Sequence, residues 1–204
     1  MNGVYPLASI FLRRTTVKFL PLLGLMAFVS AALGQSNSSF YVSTNGSDSN
    51  PGTEAAPWRT VQHAADTVRA GSTVNIRGGV YEELVTIKTS GNATDGYVTF
   101  RSFPGETAIL DAEHITPDGR GGILTIRDKS YVRIEGFEIR NYRTSDRQLT
   151  PLGISVMGSG SHIELLKNNV HHIEQTFDGR DGPGHGANGF GIAVYGTDAK
   201  TPIS

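Results

Sequence analysis

Short apolar pairs at alternate positions recur along most of the chain. One series of pairs is Val74/Ile76, Val98/Phe100, Val132/Ile134 and Ile163/Leu165, which start at positions 74, 98, 132 and 163. A second series is Leu124/Ile126, Ile154/Val156 and Ile192/Val194, at intervals of 30 and 38. Successive side chains of a β-strand point to opposite faces, so each pair predicts the buried face of a short strand.

The two series share one long, irregular period. Its clearest trace is YVRIEGFEIRN (131–141) against HIELLKNNVHH (162–172), in which the apolar positions match at a constant offset of 31. Such a period predicts stacked coils with at least two strands each, that is, an all-β parallel solenoid. A barrel or a sandwich uses similar strands but does not require a shared period. The solenoid is therefore the favoured architecture.

A different pattern precedes the coils. Phe40 to Ser43 predicts a short strand, and Thr60 to Ala70 predicts a helix because its apolar residues recur at three- and four-residue spacings. Gly71 is placed to end that helix. A single helix before a run of strands fits a cap over the exposed first coil of a solenoid. Residues 35–72 are thus expected to form a strand and a capping helix, and residues 73–204 the coils.

Residues 1–34 have the pattern of a secretory signal peptide. Three basic residues precede an almost wholly apolar run over 19–29, and a small–x–small cleavage pattern follows at Ala32-Leu33-Gly34. The alternative, a membrane anchor, needs about 20 apolar residues, and this run is shorter. We expect cleavage before Gln35 and export without a lasting membrane span.

Composition narrows the possible functions. The 204 residues include no cysteine, which excludes a disulfide framework, a thiolate metal site and a cysteine nucleophile. Without the signal, 15 Lys and Arg face 19 Asp and Glu, a net charge of −4. Nucleic acid is therefore not expected as a partner. An exported chain without cysteine suggests a bacterial periplasm or exterior.

The segment YVSTNGSDSNPGTEAAPWRTVQHAADTVRAGSTVNIRGGVYEE (41–83) resembles the N-terminal cap and first coil of secreted right-handed parallel β-helix proteins. These include the family 9 polysaccharide lyases of pectate lyase type. The segments GYVTFRSFPGETAILDA (96–112) and YVRIEGFEIRN (131–141) resemble the following coils. The resemblance covers about residues 40–200. It implies a single-stranded right-handed parallel β-helix, on a scaffold that lyases, hydrolases and non-enzymes share.

The richest chemistry lies in the glycine-rich stretch TFDGRDGPGHGANGF (176–190). Carboxylate and amide oxygens on a flexible backbone suit Ca²⁺, and the candidate metal ligands are Asp178, Asp181 and Asn188. The candidate substrate-binding residues are Arg180, His185 and Tyr195. The alternative is a long surface turn whose Asp and Asn side chains bond their own backbone.

The resemblance bears on this stretch directly. In the lyases, a segment ending in Asp-Gly-Phe supplies a calcium-binding aspartate, whereas this chain reads Asn188-Gly189-Phe190. The asparagine offers an oxygen but no charge. The family's other calcium ligands and its lysine base lie further along than Ser204, so no catalytic residue is carried over. We expect this chain alone to be inactive.

Four further groups have a structural interpretation and a functional one. His171 and His172 are expected on opposite faces of a strand, which makes them poor joint metal ligands. Asn141, Asn168 and Asn169 are expected to stack at turns. The arginines Arg127, Arg133, Arg140 and Arg143, interleaved with acids, indicate an ion-paired solvent face. The aromatics Tyr131, Phe137, Tyr142 and Tyr195 would either stack on sugars or fill the core.

These observations predict an exported β-helix protein that engages an extracellular acidic polysaccharide. A calcium-assisted lyase is the leading enzyme class. The alternatives are a non-catalytic carbohydrate-binding or surface module and a glycoside hydrolase fragment, which would need a pair of acids beside the sugar bond. No terminal cap follows the last predicted coil, so we expect a chain truncated at its C-terminus.

Overall fold

The computed structural model of the protein describes residues 38–119, 121–177 and 189–196. The predicted signal peptide, residues 1–34, lies outside them. The described part contains thirteen strands and one short helix, and every strand pairing is parallel. The prediction of an all-β parallel solenoid is confirmed.

The strands form three sheets, which the chain visits in turn on every coil. Sheet 1 consists of β1 (Ser39–Val42), β2 (Thr73–Ile76), β5 (Val98–Ser102), β8 (Val132–Glu135) and β11 (Ile163–Leu166). Sheet 2 consists of β3 (Gly79–Tyr81), β6 (Ala108–Asp111), β9 (Glu138–Thr144) and β12 (Asn169–Gln175). Sheet 3 consists of β4 (Val85–Ile87), β7 (Leu124–Arg127), β10 (Leu152–Met157) and β13 (Phe190–Tyr195).

The two predicted apolar series are the inward faces of sheets 1 and 3. Ile154 pairs with Leu124 on one side and Ile192 on the other, as the intervals of 30 and 38 require. In sheet 1 the first pairing joins Val74 to Phe100, whereas the spacing of the pairs predicts Val98 as its partner. Moving the register of β2 against β5 by two residues keeps the same side chains facing inward. The predicted alternation of buried and exposed positions therefore still holds.

The core is the column of side chains between the three sheets. Val74, Phe100, Ile134 and Ile139 are each at most 1% exposed. At the β13 end of the described part the inward positions open to solvent, with Val194 57% exposed. The inward-facing positions of the strands therefore form a continuous apolar core, and the outward-facing positions can carry polar side chains.

The helix α1 (Val61–Thr67) packs against β4 and β1 and buries Val61, Ala64 and Ala65. Thr60 caps its N-terminus by accepting a hydrogen bond from the His63 amide. The helix ends at Thr67 rather than at the predicted Ala70, because Val68 takes an extended backbone. The predicted capping helix is confirmed in a shorter form.

The coils turn at backbone positions with positive φ. Gly136 has φ +76°, and Lys167, at the equivalent position of the next coil, has φ +54°. Asn141 and His172 likewise occupy equivalent positions of successive coils, with φ +62° and +52°. Residues other than glycine thus adopt the left-handed conformation at equivalent corners, and the side chains they carry there are displaced from strand alternation.

Candidate functional site

The outer surface of sheet 2 carries a connected group of charged and polar side chains. We call it the polar face, and it comprises Asp111 of β6, Glu138, Arg140 and Asn141 of β9, and His171 and His172 of β12. The parallel register places Asp111, Arg140 and His171 side by side on three successive coils. The stacking therefore brings together residues that lie a full coil apart in the sequence.

Arg140 is the centre of the polar face. Its Nε donates to Asp111 Oδ2 at 2.7 Å, and its Nη1 donates to Glu138 Oε1 at 2.6 Å. The side-chain amide of Asn141 donates to both carboxylate oxygens of Asp111 at 3.1 Å. Each polar group of Asp111 thus has a partner, which its 6% exposure requires.

These contacts shift the pKa values of Asp111 and Arg140. Burial acts to raise the pKa of Asp111, but hydrogen bonds from Arg140, Asn141 and the Glu113 amide outweigh it and hold the pKa below its ordinary value. Hydrogen bonds to Asp111 and Glu138 raise the pKa of Arg140. Asp111 is therefore an ionised carboxylate at neutral pH, and both of its oxygens accept hydrogen bonds.

The two histidines meet on the same side of β12, so the prediction of opposite faces is wrong. Their Nδ1 atoms lie 2.5 Å apart, with the ring planes at 75°. The cause is the backbone of His172, whose φ of +52° interrupts the alternation that holds only for extended residues. Beyond it the strand resumes, with Ile173 paired to Tyr142.

Asn141 occupies the equivalent corner of the preceding coil. The predicted stacking of asparagines at turns is only partly right: Asn168 does bond to the adjacent coil, donating to Ile134 O at 2.9 Å and accepting from the Phe137 amide at 3.0 Å. Asn141 instead bonds to the acids Asp111 and Glu113. Both link neighbouring coils without a second asparagine.

The predicted ion-paired solvent face is confirmed for three arginines. Besides Arg140, Arg133 binds Glu164 at 2.6 Å and Arg143 binds Glu174 at 3.2 Å. Each of these two bonds joins adjacent coils rather than neighbours along one strand. The ion pairs therefore reinforce the stacking direction and leave these arginines partly occupied.

Among the aromatic residues, Phe137 and Tyr142 are core side chains at 1% exposure. Tyr131 has one ring face covered by His162, stacked at 4.2 Å, and contacts Tyr97 edge-on at 5.5 Å. These three rings form a column along one corner of the coils. Tyr195, in contrast, is 45% exposed on β13, and its role as a sugar contact stays a prediction.

The other five predicted site residues, Asp178, Arg180, Asp181, His185 and Asn188, lie outside the described residues. Their flanks are described. Gln175, at the end of β12, donates to the carbonyls of Asp146 and Leu149 at 2.6 and 2.8 Å, and Arg147 lies 5.0 Å over the Phe177 ring. The stretch thus leaves sheet 2 directly after the polar face and re-enters at β13 of sheet 3.

Neither Asp111 nor Glu138 was predicted from the sequence as a site residue. The signal for Asp111 is weak, because it closes the short run Ala108–Asp111 and its partner Arg140 belongs to the next coil. Aligning the sequences of successive coils over all of sheet 2 would have placed Asp111 opposite Arg140.

Another carboxylate, the partly buried Glu83, has a structural role at the cap. Burial raises the pKa of Glu83, against hydrogen bonds from the Gln62 and Val61 amides. Its two oxygens accept from these amides at 2.9 and 2.8 Å, at the start of α1. Glu83 therefore satisfies helix N–H groups that would otherwise be unpaired.

Within the described ranges no cluster of three or more His, Asp or Glu side chains is arranged to hold a metal ion. In the same ranges no helix is long and apolar enough to cross a bilayer.

Comparisons with solved structures agree with the fold. A GH136 lacto-N-biosidase from Eubacterium ramulus superposes with a TM-score of 0.58 at 15% identity, over 80% of this chain and 31% of that one. Pectate lyase Pel9A superposes with a TM-score of 0.51 at 15% identity, over 78% of this chain and 45% of that one. At this identity the likeness concerns the scaffold.

Two sequence relatives are much closer. The uncharacterized protein YwoF of Bacillus subtilis is 39% identical over 148 residues, which are 72% of this chain and 31% of YwoF. Pectate lyase PEL9 of Emericella nidulans is 34% identical over 136 residues, 63% of this chain and 33% of that enzyme. The chain spans about a third of the length of both relatives.

The family comparison covers nearly all the coils. Residues 40–194 match the family described as Pel9A-like, right handed beta helix region. This range begins within β1 and ends within β13, so it coincides with the solenoid. The chain belongs to the Pel9A-like right-handed β-helix family.

Proposed function

We propose that this chain engages an extracellular acidic polysaccharide, in a protein of the calcium-assisted lyase class. The observation that carries the proposal is the 34% identity to pectate lyase PEL9 over 136 residues, together with the Pel9A-like family match over residues 40–194. Export through residues 1–34 is part of the proposal, since a polymer of this kind is met outside the cell.

The form of the described surface supports a polymeric ligand. Outward polar side chains continue over three coils of sheet 2, from Asp111 to His171, and neighbouring coils of a parallel ladder are about 4.8 Å apart. A long ligand can follow such a face, whereas a small molecule needs a closed pocket. The face also leads along β12 into the stretch that carries the candidate ligands.

The candidate ligands fit a hard cation by their chemistry. Asp178 and Asp181 contribute carboxylates and Asn188 an amide oxygen, on a segment with five glycines between 179 and 189. When bound, Ca²⁺ would neutralise the uronate carboxylate and acidify its C5 proton. Arg180 is suited to bind a second carboxylate, His185 to bind hydroxyl groups, and Tyr195 to stack on a sugar ring.

The cations of the polar face take a lesser part in this proposal. Arg140 is held by Asp111 and Glu138, so it is not available to a polyanion without breaking two short hydrogen bonds. Recognition of acidic sugars is therefore assigned to Arg180 and its neighbours, and the polar face stabilises β12, which precedes them in the sequence.

Affinity electrophoresis tests the proposal. The chain should migrate more slowly through a gel containing polygalacturonate with Ca²⁺ than through one containing a neutral dextran, and EDTA should abolish the difference. The double variant D178N/D181N should lose the calcium-dependent retardation. It also removes two negative charges, which by simple electrostatics would strengthen polyanion binding, so a loss would report the metal ligands.

The matched control is E54Q/E82Q. It makes the same charge change at two exposed acids of the N-terminal region and should retain the retardation. Equal migration in polygalacturonate and dextran would overturn the proposal. Retardation that D178N/D181N leaves unchanged would overturn the assignment of the metal ligands.

A further inference from the structure

We propose that His171 and His172 form a binding site for a transition-metal cation of the zinc or copper type. This site uses none of the calcium ligands proposed above, and the inference does not depend on the polysaccharide proposal. It rests on three observations of the described polar face.

The first observation is the convergence of two imidazole nitrogens. The Nδ1 atoms lie 2.5 Å apart with the ring planes at 75°, so a single cation would be within reach of both nitrogens. Ligand nitrogens about 2.0–2.1 Å from a zinc ion are separated by about 2.9 Å at a cis angle and about 3.4 Å at the tetrahedral angle. A separation of the two nitrogens by roughly 0.4–0.9 Å would therefore admit the ion.

The second observation is the environment of the far nitrogen of His171. Its Nε2 lies 3.3 Å from Glu138 Oε1, and Glu138 is held in place by Arg140 Nη1 at 2.6 Å. A carboxylate that accepts the N–H of one ring nitrogen leaves the other as a lone pair, and metal-binding histidines commonly have such a partner. Glu138 thus orients His171 so that Nδ1, which faces His172 Nδ1, is the nitrogen that would donate to a cation.

The third observation is the strained backbone that creates the pair. His172 adopts φ +52°, a conformation that non-glycine residues adopt infrequently and that favours asparagine. Asn141 fills the equivalent corner one coil earlier. His172 occupies this position at a conformational cost, and the result is that its ring faces His171.

The chemistry of the donors selects the class of metal. Imidazole nitrogens suit zinc, copper and nickel, whereas Ca²⁺ takes oxygen ligands. The two rings supply two ligands, and the remaining coordination positions are left to water. His172 is solvent-exposed and His171 partly so, which gives the ion access.

Isothermal titration of the untagged chain with Zn²⁺ tests the proposal. We expect one ion per chain at this site. The variant H172N should weaken binding at least about tenfold, and it should fold, because asparagine is accepted at the matching corner. E138Q should weaken binding by about tenfold through loss of the orienting charge, without removing a ligand.

The matched control is H162N. His162 is another exposed histidine with positive φ, one strand earlier in the same coil, and it stacks on Tyr131 instead of a second imidazole. H162N should bind Zn²⁺ as the unmodified chain does. The proposal is overturned if Zn²⁺ does not bind, if H172N binds as tightly as the unmodified chain, or if H162N and H172N lose affinity equally. Thermal unfolding monitored by circular dichroism would show that each variant is folded.

Discussion

The ion pair between the buried Asp111 and the partly exposed Arg140, whose side chain is 29% exposed, provides the sharpest test of the packing of the coils. Asp111 is 6% exposed and accepts hydrogen bonds from Arg140 Nε at 2.7 Å, from the side-chain amide of Asn141 and from the backbone amide of Glu113. In D111N one oxygen remains as an acceptor, but the charge-assisted bond to Arg140 is lost. Such a bond is worth about 1.5–3 kcal/mol, so we expect D111N to lower the free energy of unfolding by about 2 kcal/mol.

The exposed pair between Arg133 and Glu164 is the internal control. Its length is similar, 2.6 Å, but both side chains are about a third exposed. Solvent screens such a pair, so E164Q should cost less than about 1 kcal/mol. Urea unfolding of the unmodified chain, D111N and E164Q measures the two losses under the same conditions.

Acid should remove the difference between the unmodified chain and D111N. The pKa of Asp111 is lowered in the folded protein, so its stabilising contribution is complete above the unfolded pKa, about 3.9. The contribution is then lost as the pH falls toward the lower folded value. If D111N and E164Q were equally stable at neutral pH, or if the D111N deficit persisted at pH values well below both pKa values, the stabilising role assigned to the buried Asp111 would be wrong.

Three further substitutions test separate parts of the coil, each by urea unfolding. I134A removes a fully buried side chain that lies between Phe100 and Leu165 of the neighbouring coils. It should lower the free energy of unfolding by about 3 kcal/mol. A loss below about 1 kcal/mol would contradict the inward placement of this position. G136A tests the left-handed corner, where φ is +76° and an added Cβ would meet only Ser102, at an ordinary 3.5 Å. The expected loss of stability, about 1 kcal/mol, is therefore conformational. An unchanged stability would argue against a positive φ at this position. G153A tests the contact between coils, because a Cβ there would lie 2.4 Å from Gly191 O; about 2–3 kcal/mol is expected from overpacking, and a neutral result would show that β10 and β13 are further apart.

The sequence predicted sheets 1 and 3 because their strands alternate regularly. Val132/Ile134 and Ile163/Leu165 repeat at a constant offset, and the structure pairs them in that register. Sheet 2 was not predicted. In β9 the buried residues Ile139 and Tyr142 do not alternate, because Asn141 turns the backbone between them. A single left-handed residue thus hides a strand from a search for period-two alternation.

The same corner explains the missed chemistry. Strand alternation places His171 and His172 on opposite faces, and only the φ of His172 reverses this conclusion. The acids of the polar face were missed for another reason. Asp111 meets Arg140 across a whole coil of the chain, and such a contact follows from the register of two coils rather than from any local motif.

Titration of the chain with a defined oligogalacturonate tests the central claim most directly. Isothermal calorimetry in the presence of Ca²⁺ should show binding that EDTA abolishes and that a neutral oligosaccharide of the same length does not reproduce. Absence of binding to the oligogalacturonate, or equal binding of the neutral oligosaccharide, would contradict the claim that this β-helix engages an acidic polysaccharide.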